Sequence, residues 1–298
     1  MSSVDVSMSS VSTVPAPLTD EVVATRFHGV LARQLRNELA LVFRRRRNIA
    51  MLIVLAAVPI LIGTAVKVSA PRGGGGPAFL GQLTNNGLFL GFAALTICLP
   101  VFLPLAIAVV CGDAIAGEAN AGTLRYLLTV PVSRTRVLVV KSLGALSYLA
   151  AAVGIVAAVG IITGLALFGS HGVTLLSGNT VSFGNGLVRA FGVALFVFVD
   201  LLGLAALAIF LSTLTEVPIG AMAATVALVI AFAVLDSVPQ LGGFRGMLLT
   251  HHWLGFADLL RNSFSLTSLA HNLVVPLSYT VIFGSCAWAK ITSADITS

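Results

Sequence analysis

Residues 195–207 read LFVFVDLLGLAAL, a run of apolar side chains interrupted by one carboxylate. The apolar character extends in both directions, over 187–214, and a helix needs roughly 20 residues to cross the ~30 Å of hydrocarbon in a bilayer. Five more runs of that kind occur near 48–66, 88–111, 138–168, 217–235 and 271–289. In lipid such segments must be helices, because nothing else satisfies its own backbone hydrogen bonds without closing a barrel. The composition agrees. Of 298 residues, 57% are hydrophobic and 9% charged, and the mean hydropathy is +1.03, whereas a soluble domain carries roughly a quarter charged residues. The expectation is an all-α integral membrane protein with six transmembrane helices.

The net charge of +6 does not point to nucleic acid, since the basic residues flank apolar segments instead of interleaving with aromatics in a polar domain. They read as orientation signals. With the N-terminus inside, the cytoplasmic side holds twelve Lys and Arg residues and the outside five: Lys67, Arg72, Arg189, Arg245 and Arg261. Both termini are then cytoplasmic and the location is the cell membrane. Residues 1–25, rich in Ser, Val, Thr and Pro, have no apolar core of signal length and are expected to be a disordered cytoplasmic tail.

Over 26–47, Phe27, Leu31, Leu35, Leu39 and Phe43 recur every fourth residue, on one face of a helix. The run Arg44, Arg45, Arg46, Arg47 follows. This is the pattern of an amphipathic helix resting on the inner surface, with the four arginines as an anchor to anionic headgroups. Residues 48–298 then form the six-span domain. Within it, Pro100 and Pro104 predict a kink in the second span, and Gly160 and Gly164 a close helix contact in the third. The stretch 236–270 is too apolar for a free loop and too often broken by Gly, Pro and charge for a span. Short re-entrant helices, external in this orientation, fit it best.

Motifs for chemistry on this chain are missing. There is no GxxxxGK[ST] phosphate loop, HExxH, GxSxG or paired CxxC. Cys98, Cys111 and Cys286 match no metal or redox spacing and read as packing residues. His251, His252 and Asp258 make a poor metal set, because adjacent histidines diverge on a helix. Asp200, the one acidic residue deep in a span, is a proton site, a substrate contact in a translocation path, or a structural group at a helix interface.

The polar stretch 117–141, GEANAGTLRYLLTVPVSRTRVLVVK, separates the second and third apolar runs. Asp113 and Glu118 precede a helical segment, where negative charge suits a helix N-terminus. Gly122 and Thr123 allow a bend, Leu124, Leu127 and Leu128 share one face, and Pro131 stops the helix. Ser133 can cap the next helix, which carries Arg134, Arg136 and Lys141 into the third run. A short amphipathic element so delimited, joined to two spans, can pass force from a soluble partner.

The order of Glu118, Gly122–Thr123, Leu127–Leu128, Pro131, Ser133–Arg134 and Lys141, after an Asp ending the second span, resembles the membrane subunits of ABC-2 type ABC transporters. The amphipathic helix before span one, the six spans and the re-entrant helices before the last span extend the resemblance over nearly the whole chain past residue 25. It implies that 117–141 contains the cytoplasmic coupling helix, with Glu118, Gly122, Thr123, Arg125, Leu128, Pro131 and Arg134 forming or supporting the contact with an ATPase. It further implies two copies of a separate ABC ATPase subunit carrying ATP and Mg, and a second permease copy or a homologous permease. The chain itself would bind no cofactor and catalyse nothing; its cargo would be a hydrophobic or amphipathic molecule for export. The alternative is an ion-coupled secondary carrier using Asp200, for which inverted repeats would be expected.

Overall fold

A computed structural model describes residues 20–69, 87–122, 134–169, 173–174, 180–260 and 266–293. It is built almost wholly of helices. Helix α1 (Asp20–Arg44) is followed by α2 (Arg46–Ser69), then a broken pair, α3 (Phe89–Cys98) and α4 (Phe102–Asp113). The short α5 (Ala116–Asn120) precedes the long α6 (Arg134–Phe168). A two-residue antiparallel ladder, β1 (Val173–Thr174) with β2 (Thr180–Val181), leads into α7 (Phe183–Leu214) and α8 (Pro218–Asp236). Two 3-10 turns flank α9 (Leu249–His252), and α10 (Leu266–Ser293) ends the described chain.

Five helices, α2, α6, α7, α8 and α10, are long and apolar enough to cross a membrane, and the α3–α4 pair makes a sixth crossing if it is one span. The six apolar runs each fall on one of these. The surface supports a membrane setting: Ile53, Leu61, Ile162, Phe191, Ile219 and Val281 are all exposed, an outward display of apolar side chains that water would penalise and hydrocarbon would not. Helix α7 is the hub. It packs against α10, α4, α6 and α8, and 67% of its most apolar window is buried, against 11% for α10 and 17% for α8.

The kink expected from the prolines is a 57° bend between α3 and α4. Pro100 has no N–H to offer the carbonyl of Thr96, and Val101 leaves helical geometry at φ −132°. The paired glycines of α6 also act as expected. A Cβ on Gly160 would lie 2.8 Å from Cα of Gly91, and one on Gly164 would fall onto the carbonyl oxygen of Gly87, so the backbones of α3 and α6 touch.

Three features depart from expectation. Helix α1 begins at Asp20, so residues 20–25 belong to it and not to the tail. Residues 1–19 lie outside the described residues. The β1–β2 ladder had no sequence signal beyond ordinary polar loop residues. Cys286, unlike buried Cys98 and Cys111, is exposed, so it does not pack the interior. Within 236–270, residues 239–260 break into short helices with Leu249, Trp253, Phe256 and Leu260 buried, 261–265 lie outside the described residues, and 266–270 already belong to α10.

Candidate functional site

The helix ends that carry Arg45, Arg47, Asp113 and Lys141 meet in a cluster of charges that alternate in sign. Lys141, near the start of α6, donates to Glu38 Oε2 at 2.9 Å and to Glu118 Oε1 at 2.7 Å. Its side chain is 9% exposed. Arg45 and Arg47, at the elbow between α1 and α2, both donate to Asp113 Oδ2, Arg47 at 2.9 Å. Three carboxylates thus face three cations; Lys141 and the carboxylates are largely dehydrated and need their partners, while Arg45 and Arg47 remain nearly half exposed. Two glycines clear the space. A Cβ at Gly117 would sit 2.7 Å from Asp113 Oδ1, and one at Gly144 would sit 2.8 Å from Glu38 Cγ.

Neutral hydrogen bonds complete the joint. Ser212 Oγ, fully buried on α7, accepts from the N–H groups of Ile115 (3.1 Å) and Ala116 (2.9 Å) and donates to the carbonyl of Gly112 at 2.7 Å. One hydroxyl therefore serves the backbone groups left over where α4 ends and α5 begins. Asn48 Nδ2 donates to the carbonyl of Val42 at 2.8 Å, and Tyr148 OH to that of Asn48 at 3.0 Å, fixing the α1–α2 elbow against α6. Arg134 Nη1 donates to the carbonyls of Ile291 and Thr292, near the last turn of α10, where a cation also complements the helix dipole. Trp288 Nε1 adds a bond to Thr135 Oγ1 at 3.1 Å.

The segment 123–133 is consequently held at both edges. At one, Gly122 adopts φ +68° just past α5, a left-handed helix end that glycine accepts without strain. At the other, Arg134 is bonded to α10. Of the residues expected to form a coupling element, Glu118, Gly122 and Arg134 occupy these edges; Thr123, Arg125, Leu128 and Pro131 lie outside the described residues. Glu118 and Arg134 are bound within the chain, and so support the segment. The arginine run divides in function too. All four arginines are exposed, and Arg45 and Arg47 also hold Asp113, so half of the run is engaged within the chain.

Glu38 and Ser212 had not been singled out by sequence reasoning. The first left a trace: it sits among Leu35, Leu39 and Val42 on the half-buried face of α1, where a lone charge demands a partner. Ser212 left none. Elsewhere, Asp236 Oδ1 is bonded to His251 Nδ1 (2.7 Å) and lies 3.3 Å from Arg245 Nε, while His252 is bonded to the carbonyl of Gly246 (2.9 Å) and to Asn272 Oδ1. The two histidine rings stand perpendicular and do not converge on one point. Asp200 is fully buried, and neither carboxylate oxygen has a hydrogen-bond partner among the described residues.

A helical bundle with apolar outer faces and a charged joint at one end defines a polytopic membrane protein in class. The chain belongs to the family described as Protein of unknown function (DUF2705), whose model matches residues 75–297. No curated protein matches it.

Proposed function

We propose that this chain is the membrane-spanning permease subunit of an ABC-2 type ABC transporter, exporting a hydrophobic or amphipathic cargo across the cell membrane with both termini cytoplasmic. Energy comes from ATP and Mg on two copies of a separate ATPase subunit, and a second permease copy or homologue completes the pore. The chain itself has no catalytic role. One observation carries this reading: the two edges of 123–133 are locked into the rest of the bundle, Glu118 through Lys141 to α1 and Arg134 to α10. A push that reaches either edge passes into the bundle. It tilts α1, α6 and α10 together, which is what a coupling element has to do. Nucleotide-bound ATPases then need only favour one arrangement of the spans for binding energy to shift the population. The 237–260 segment is, in this reading, external and re-entrant.

Because Glu118 and Arg134 are internal struts, charge reversal there disrupts the fold and cannot report on coupling. Arg125 is the better probe. In the intact complex, Arg125→Glu is expected to lower transport and cargo-stimulated ATP hydrolysis together by about tenfold, with membrane insertion unchanged. Wild-type transport by that variant, with insertion also at wild-type level, would remove 123–133 as the coupling element.

A further inference from the structure

Asp200 has no role in the junction, yet it is fully buried and both its carboxylate oxygens lack a partner among the described residues, which is costly in an apolar bundle. Contacts along α7 show what lies beside it. Towards the inner end, a Cβ on Gly203 would meet the carbonyl of Pro276 at 2.8 Å, Leu249 Cδ2 at 2.9 Å and Tyr279 Cβ at 3.1 Å. Towards the outer end, a Cβ on Gly192 would touch Leu259 at 3.9 Å, and Arg189 Nη1 donates to the carbonyl of Leu259 at 2.6 Å. Asp200 lies between these two points, so residues 249–259 run along the stretch of α7 that holds it. Two more buried polar atoms without partners among the described residues fall in that same stretch, Thr250 Oγ1 and Trp253 Nε1. Helix α10 runs on through Pro276 at the same level but lacks one backbone hydrogen bond there. Pro276 cannot donate to the carbonyl of Asn272, and the Asn272 side chain already meets His252.

Buried acceptors without partners among the described residues, on α7 and on the segment packed along it, leave hydrogen-bonding capacity that a guest with a donor can meet. The lining selects its chemistry. A carboxylate and a hydroxyl accept hydrogen bonds, and a buried indole favours a cation over its face. The remaining surface is hydrocarbon and aromatic, as in Phe196 and Phe256. We propose that Asp200, with Thr250 and Trp253, binds the ammonium group of a lipophilic amine, whose apolar body stays among the helices. Entry requires 249–260 to lift from α7, and the chain before it can allow that: Gly242, Gly243 and Gly246 have open space where a Cβ would be, and Gly242 has φ +50°.

This names a cargo class for the permease reading and rests on it, but binding can be read without any ATPase. Membranes containing the full chain are treated with dicyclohexylcarbodiimide, an apolar reagent for buried carboxyl groups, and modification of Asp200 is followed by peptide mass spectrometry. N,N-dimethyldodecylamine, which cannot itself be acylated, is the probe, and dodecanol is the neutral control of equal chain length. The expected result is labelling of Asp200 that falls about tenfold at saturating amine and is unchanged by dodecanol. Equal protection by both compounds, or by neither, overturns the amine site. Failure to label Asp200 at all also overturns it, since the seam would then be closed to apolar molecules. Loss of the amine effect beside a co-purifying ATPase removes the cargo class alone; amine protection without any ATPase leaves the site standing and removes the permease reading.

Discussion

Replacing Lys141 by methionine is expected to destabilise the chain by about 3–5 kcal/mol and to leave little folded protein in detergent. The side chains are similar in length, so packing is nearly conserved and the loss is electrostatic. Lys141 is the shared partner of Glu38 and Glu118; without it two carboxylates remain side by side in a seam where Lys141 was 9% exposed. Each then bears a desolvation cost with repulsion in place of attraction. The companion variant makes the cause testable. Adding Glu38→Gln and Glu118→Gln to Lys141→Met removes all three charges, and most of the stability is expected to return, because a buried ionic group replaced as a whole is often nearly neutral in effect. Thermal unfolding of the purified variants in mild detergent reads both. A single variant as stable as wild type, or a triple variant no better than the single, would show that the cluster is not held by its charges.

Gly164→Leu is expected to be equally damaging for a steric reason. The position of its Cβ is already occupied by the carbonyl oxygen of Gly87, with Leu90 Cβ 3.0 Å away on the same side. A backbone atom cannot rotate aside as a side chain does, so α3 and α6 must separate along their length, at a cost of about 3 kcal/mol or more. Gly154 is the internal control. It lies on the same helix with nothing within 4 Å of its Cβ position, and leucine there is expected to change stability by less than about 1 kcal/mol. The two variants, compared by the yield of monodisperse protein after solubilisation, separate a packing contact from a general intolerance of substitution in α6.

What was legible from the sequence follows from the range of the interactions. Hydropathy is additive along the chain, so each helix or bent pair long and apolar enough to cross a membrane was visible as a run, and the observed helices differ from those runs by only a few residues at their ends. The prolines of the second crossing and the glycines of α6 act through local backbone chemistry, and each had the consequence its chemistry demands. The junction was not legible in the same way. Lys141 and Glu38 are a hundred residues apart, and Ser212 joins α7 to groups about as distant; such bonds have no period and no composition. The partial signal was Glu38 on the apolar face of α1, a local inconsistency that only a tertiary partner resolves. Glu118 and Arg134 were read as forming or supporting a contact with a partner, and that both are bonded within the chain emerges only from the fold. Asp200 was visible as an anomaly from the sequence, but the Thr250 hydroxyl and Trp253 indole N–H, without partners among the described residues, emerge only from the fold.

The account centres on a separate ATPase pushing against 123–133. Its most direct test is purification of the chain in mild detergent from its native membrane, with a photocrosslinker at position 125 and mass identification of every retained protein. The account predicts a partner carrying GxxxxGK[ST] in roughly one-to-one amount with this chain, joined to it through residue 125. Recovery of this chain alone, with no crosslink from residue 125, would contradict it.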